Sequence, residues 1–152
     1  MKKAVRIIVV FLVLALISLQ FFSVDQNNAE IRDVADFEAE TKPSKEVVAI
    51  LEKQCYDCHT NKTVYPWYGK IAPVSMWLAD HIEEGNEHFN LTAWNKYTDE
   101  KKDHKLDELI EEVEENKMPL NEYTWTHGDI TEQEKESLIK WAKEARTIYK
   151  VH

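Results

Sequence analysis

Cys55-Tyr56-Asp57-Cys58-His59 is the stretch on which the reading of this chain turns. Two thiols two residues apart, with an imidazole directly after the second, match C-x-x-C-H, the attachment signature of c-type haem. The spacing has a physical basis. Two intervening residues let both sulfurs reach the two vinyl groups on one edge of a porphyrin, while the next residue sets its imidazole under the iron. Cys55 and Cys58 are therefore the expected attachment points of haem c, and His59 its proximal ligand. A thioredoxin-like dithiol and half of a zinc site also use C-x-x-C. The first follows a strand in a βαβ unit, and no such pattern exists here; the second needs another ligand pair at regular spacing. A disulfide between the two cysteines would close a very small loop.

Outward from the motif the chain reads as helices. Ser44 caps a segment in which Val47, Leu51 and Cys55 recur at four-residue intervals, which brings the first cysteine to the buried side of a helix. After His59, Thr60-Asn61-Lys62-Thr63-Val64-Tyr65-Pro66-Trp67-Tyr68-Gly69-Lys70-Ile71-Ala72-Pro73 reads as a loop packed on something large and apolar. Ser75 is placed to cap a short helix bearing Val74, Trp77, Leu78 and Ile82, with Gly85 at its end. A polar loop with Phe89, Leu91 and Trp94 follows. Between Asp99 and Lys117, Leu106, Leu109, Ile110 and Val113 fall at i, i+3, i+4 and i+7, an amphipathic helix. The last helix opens on Thr131 and Glu134 in capping-box register and presents Leu138, Trp141, Ala142, Ala145, Ile148 and Tyr149 on one stripe. No strand-like alternation is sustained, so the fold class is all-α, with long loops and one central cofactor completing the core.

The N-terminus sets a different expectation. Lys2, Lys3 and Arg6 precede an apolar run from Ile7 to Phe22. Counted from Ala4 to Phe22, the segment approaches the roughly 20 residues that span a hydrocarbon core. Its exit, Leu19-Gln20-Phe21-Phe22-Ser23, lacks the small-residue cleavage pattern, so an N-terminal transmembrane helix is preferred to a removable signal peptide. The expected layout is an anchor or signal segment over 1–22, a flexible acidic linker over 23–43 and a haem-binding domain over 44–152. Basic residues before the span place the domain in the periplasm, held to the inner membrane through residues 4–22. The 152 residues suffice for one modest domain, and 19 basic against 28 acidic residues give −9, or −12 without the three basic residues of the leader. Nucleic acid is a poor partner for such a chain. The acidity serves either solubility or steering towards a basic redox partner.

The sixth iron position has several candidate ligands: Met76, Met118, His81, His88, His104, His127 and His152. Met118 leads, because Lys117-Met118-Pro119-Leu120 lies between two amphipathic helices where proline stiffens an extended loop. His81 and His127 follow. The Pro73 carbonyl is the expected acceptor for the second nitrogen of His59, and Trp67 and Trp141 the expected close neighbours of the haem.

Cys55, Cys58, His59, Thr60 and Asn61, then Tyr65-Pro66-Trp67-Tyr68, Ile71-Ala72-Pro73-Val74-Ser75, His81-Ile82 and Met118-Pro119-Leu120 together carry a resemblance. From about Ser44 to Tyr149 the chain resembles the haem-binding domain family of bacterial envelope proteins, a branch of the class I cytochrome c fold. The chain departs from that pattern at Glu87-His88-Phe89-Asn90. The resemblance implies a cytochrome c-like domain, a terminal helix packed across the first, one covalent haem, and His59 with Met118 as the axial pair. With both axial positions filled, one-electron exchange remains, so the expected function is an electron carrier. Its partners would be redox proteins of the cell envelope and the haem-attachment machinery. A peroxidase-like oxidoreductase, or a redox or gas sensor with an exchangeable sixth ligand, is the alternative.

Overall fold

The computed structural model describes residues 2–22, 24 and 29–150. Among them are seven α-helices: α1 (Lys2–Leu19), α2 (Ala35–Thr41), α3 (Lys45–Gln54), α4 (Val74–His88), α5 (Asp99–Glu114), α6 (Asn121–His127) and α7 (Glu132–Arg146). Two 3₁₀ helices, Trp67–Lys70 and Leu91–Lys96, lie before and after α4. The all-α expectation holds.

The N-terminal expectation does not. No helix among the described residues is long and apolar enough to cross a membrane. The 18 residues of α1 include Lys2, Lys3 and Arg6, and the stretch from Ile7 to Leu19 rises only about 20 Å at 1.5 Å per residue, against a hydrocarbon core of about 30 Å. The apolar run continues to Phe22, but the helix ends at Leu19. Gln20 then turns its side-chain amide onto the domain, donating to the Ala72 carbonyl at 2.9 Å and accepting from the Ala72 N–H at 3.1 Å. The expected inner-membrane anchoring through residues 4–22 therefore has no spanning helix to rest on, and the periplasmic placement built on it loses its support.

The main core forms where α7 packs on α5 and α3. Leu106, Leu109, Ile110 and Val113 of α5 face Leu138, Trp141, Ala142 and Ala145 of α7, with Val47, Ile50 and Leu51 of α3 in the same cluster. The terminal helix thus packs on α3 as well as on α5. Local signals set these ends: Ser44 Oγ accepts from Val47 N–H, Thr98 Oγ1 from Lys101 N–H, and Thr131 and Glu134 close their capping box. Ile148, expected on the buried stripe, is exposed, because the helix has ended at Arg146. Arg146 clamps α7 to α5 by donating to both oxygens of Asp103 and to Asp107. Its guanidinium holds the Asp103 carboxyl below the usual carboxylate range.

Three stretches differ from the sequence reading. Residues 23–43, expected as a flexible linker, contain α2, whose Phe37 is fully buried with its ring 5.0 Å from Trp94 and 5.8 Å from Trp141. Trp141 Nε1–H donates to the Thr41 carbonyl, and Lys102 of α5 pairs with Glu40 at 2.8 Å. Helix α2 is therefore part of the domain core. Truncating Phe37 to alanine should cost about 3–5 kcal/mol, as for other fully buried aromatics; chemical denaturation of the full chain measures it. A loss under about 0.5 kcal/mol would restore the linker description.

Helix α4 runs through Gly85 to His88, and its N-terminus rests on Pro73, with no side-chain cap from Ser75. The connection after Met118-Pro119-Leu120, for which no helix was expected before Thr131, contains α6, with His127 as its last residue.

Candidate functional site

Helix α3 ends at Cys55, whose N–H still donates to the Leu51 carbonyl. The chain then turns tightly: the N–H groups of Cys58 and His59 both donate to the Cys55 carbonyl, at 3.2 and 3.0 Å. Both cysteines are free thiols, partly buried. Burial pushes each thiol up to about 12; the neighbouring Cys58 adds to this at Cys55, and Asp57 adds to it at Cys58 against the opposing charge of Arg32. Both therefore stay protonated near neutral pH. A reactive redox dithiol is favoured by surroundings that lower the thiol instead. Moreover, among the described residues no three His, Cys, Asp or Glu side chains converge as a metal cluster requires.

His59 is the best-defined group in the site. Its Nδ1 lies 2.7 Å from the Phe89 carbonyl oxygen, which accepts only, so Nδ1 carries the proton and the Nε2 lone pair is free. Burial lowers the imidazole from its ordinary value, with the Phe89 and Gly85 carbonyls opposing the shift, which favours the neutral ring. A neutral imidazole with one nitrogen fixed on a backbone carbonyl and the other unprotonated is the form that ligates iron. The Pro73 carbonyl, expected in that role, instead accepts from Met76 and Trp77 N–H at the start of α4.

The end of α4 grips this turn. Asn86 Nδ2–H donates to the Cys58 carbonyl at 2.8 Å, and Leu91 N–H to the His59 carbonyl at 2.9 Å. Gly85 lies against the imidazole itself: a Cβ there would meet His59 Cε1 at 3.3 Å. A glycine inside a helix costs about 1 kcal/mol relative to alanine, and here it makes room for His59. Gly85, Asn86 and Phe89 thus surround the imidazole and its turn, and of these only Phe89 lies in the stretch 87–90 where the chain departs from the expected pattern.

The donor set fits haem. Large apolar side chains are exposed on the elements after His59: Trp67 is 74% exposed on its 3₁₀ helix, Trp77 39% on α4 and Trp125 78% on α6. Val64, Ile71 and Val74 are also exposed. Tyr68 Oη lies 3.4 Å from Thr126 Oγ1, so α6 and the 3₁₀ helix are neighbours.

The remaining sequence candidates fall as follows. Met118 is half-buried on the connection between α5 and α6, against the main core. Trp141 sits inside that core, on Phe37 and Thr41. His81 points Nδ1 at the Trp77 carbonyl one turn back, and its ring lies 4.3 Å from that indole. His127 stacks on Tyr123 at 3.9 Å. His104 pairs with Glu108 on the solvent-facing side of α5. Met76 and His88 are exposed on α4, and His152 lies outside the described residues.

Sequence reasoning missed Gly85, Asn86 and Phe89. A glycine inside an otherwise helical pattern is a signal of close packing, and it marked the first of them.

An all-α domain that presents two thiols and an oriented imidazole on one turn has the donor set of a haem protein. The model of the haem-binding domain family matches residues 14–144, and the chain belongs to that family. The matched stretch includes α2 and the residues before it. No curated protein and no solved structure matches the chain.

Proposed function

We propose that the protein is a monohaem c-type cytochrome that carries single electrons, with haem held covalently by Cys55 and Cys58 and ligated by His59 and Met118. The observation that carries this reading is the His59 imidazole, fixed through Nδ1 on the Phe89 carbonyl with Nε2 left free, one residue from Cys58. When bound, the haem supplies a one-electron couple at iron whose potential its axial ligands tune.

The chain's own residues divide the remaining work. Cys55 and Cys58 would bond the macrocycle, with the haem-attachment machinery as the partner for that step. His59 fixes the iron from one side, with Gly85 and Phe89 setting the ring's orientation. Met118 is assigned to the other side because its loop leads directly into α6, where Tyr123 Oη–H donates to Asp57 Oδ2 at 3.1 Å. A thioether there raises the potential relative to a second histidine and closes the iron to small ligands. The surplus of acidic side chains suits a redox partner with a basic face.

The Met118→Ala variant tests the assignment. The wild-type ferrous protein should ignore carbon monoxide and, oxidised, show the weak long-wavelength band of sulfur ligation. The variant should lose that band and bind carbon monoxide. A variant spectrum identical to wild type removes Met118 from the iron. Rapid carbon monoxide binding by the wild type would instead favour an oxidoreductase or sensor with an open sixth site.

A further inference from the structure

The stretch before α2 lies along the cysteine turn and is bonded to it at every step. Arg32 Nη2–H donates to Asp57 Oδ1 at 2.6 Å, and its guanidinium sits over the Tyr56 ring at 5.8 Å. Asn61 Nδ2–H donates to the Ile31 carbonyl, and Asn61 Oδ1 accepts from Asp33 N–H. Ala29 N–H donates to the Asn61 carbonyl, and Lys62 Nζ to the Glu30 carbonyl. Tyr56 Oη–H reaches Glu38 on α2 at 2.8 Å. From the other side comes Tyr123 of α6, which donates to the second oxygen of Asp57. Both residues between the cysteines are thus anchored, Tyr56 on α2 and Asp57 between Arg32 and Tyr123.

We propose that Arg32 and Tyr123, meeting on the two carboxylate oxygens of Asp57, are positioning residues that hold the Cys55–His59 turn in its haem-receiving conformation. The proposal rests on the reading of this turn as the haem site, and it gives residues 29–34 a role as a strap over that site. Neither residue needs to touch haem. Arg32 and Asp57 side chains are only 24% and 17% exposed, so their ion pair is shielded from the screening that weakens surface pairs. Arg32 reaches Asp57 through one nitrogen, Nη2, while its planar guanidinium lies over the Tyr56 ring, and lysine would offer the carboxylate only a point charge.

The test uses the full chain with four substitutions: Arg32→Ala, Arg32→Lys, Tyr123→Phe, and Arg146→Ala as a control. The control breaks a comparable partly buried clamp between α5 and α7, away from the turn. Two readouts are taken: hydrogen exchange at the Cys58 and His59 amides in the haem-free chain, and haem bound per chain with its reduction potential. In Arg32→Ala, protection of those two amides should fall about tenfold, the scale of one lost charge-assisted hydrogen bond, with less haem retained and a shifted potential. Arg32→Lys should recover part of the effect, and Tyr123→Phe should show a smaller loss. Arg146→Ala should lower global protection while leaving the turn's excess protection and the potential unchanged.

Wild-type exchange and potential in both Arg32→Ala and Tyr123→Phe overturn the proposal. So does an equal loss at the turn in Arg146→Ala, which would reduce Arg32 to general stability. If the wild type holds haem without covalent bonds, the c-type reading fails by itself. The exchange data and a haemin titration then still decide the role of Arg32.

Discussion

Replacing both Cys55 and Cys58 with alanine is expected to abolish haem that survives denaturing electrophoresis, for which the wild type should stain fully. Each thioether forms when a thiol adds its S–H across a vinyl double bond, so nothing leaves and no electron is exchanged with an outside reagent. Either cysteine alone can make one such bond, and the single variants should keep partial stain with a shifted absorption band. His59→Ala separates attachment from ligation: it should retain covalent haem and lose the low-spin spectrum. The double variant should still bind haem reversibly through the imidazole, because His59 is fixed by Phe89 and Gly85 rather than by the cysteines. Denaturation-resistant haem in the double variant would rule out thioether attachment at this turn. Haem lost from the wild type on denaturation would do the same while leaving haem binding intact.

What the sequence made legible, and what it hid, follows from where each element draws its stability. Helices α3, α5 and α7 carry their own signals, caps at Ser44, Thr98 and Thr131 and apolar residues at helical spacing, so local chemistry sufficed to place them. Helix α2 carries one large apolar residue, Phe37, in seven, and a single residue has no period. It folds because Phe37 finds Trp94 and Trp141, contacts that span most of the chain. Asn121–His127 is equally short, and Tyr123 reaches across to Lys53 and Asp57. The N-terminal run was misjudged for a related reason: apolar length was counted without the helix end, which a distant contact of Gln20 with Ala72 accompanies. At the site, the motif identified which side chains bear the chemistry. The acceptor for His59 was beyond it, since a partner thirty residues away is a property of packing. Pro73 lies in the loop between the motif and α4, and its carbonyl is already used by α4.

Gly85 gives the sharpest test of that packing. Replacing it with valine should displace His59 and weaken haem ligation, although no ligand or attachment residue is touched. Two effects oppose each other at this position. Any side chain removes glycine's helix penalty of about 1 kcal/mol, and any Cβ arrives 3.3 Å from His59 Cε1. The imidazole has little freedom to retreat, because its Nδ1–H is tied to the Phe89 carbonyl at 2.7 Å. With alanine the two effects nearly cancel in stability, and the cost shows as a small change in the haem spectrum. Valine adds two methyl groups beyond the Cβ. Overpacking of that kind costs about 1–3 kcal/mol, which corresponds to about 5- to 150-fold in haem affinity. Haemin titration of the haem-free chain measures it, with Glu84→Val as the comparison. Glu84 is the exposed neighbour on the same helix, so that variant carries the β-branched helix cost alone and should bind haem as the wild type does. Equal binding by Gly85→Val and Glu84→Val would mean that the imidazole gives way freely, and that the carbonyl of Phe89 does not fix the ligand.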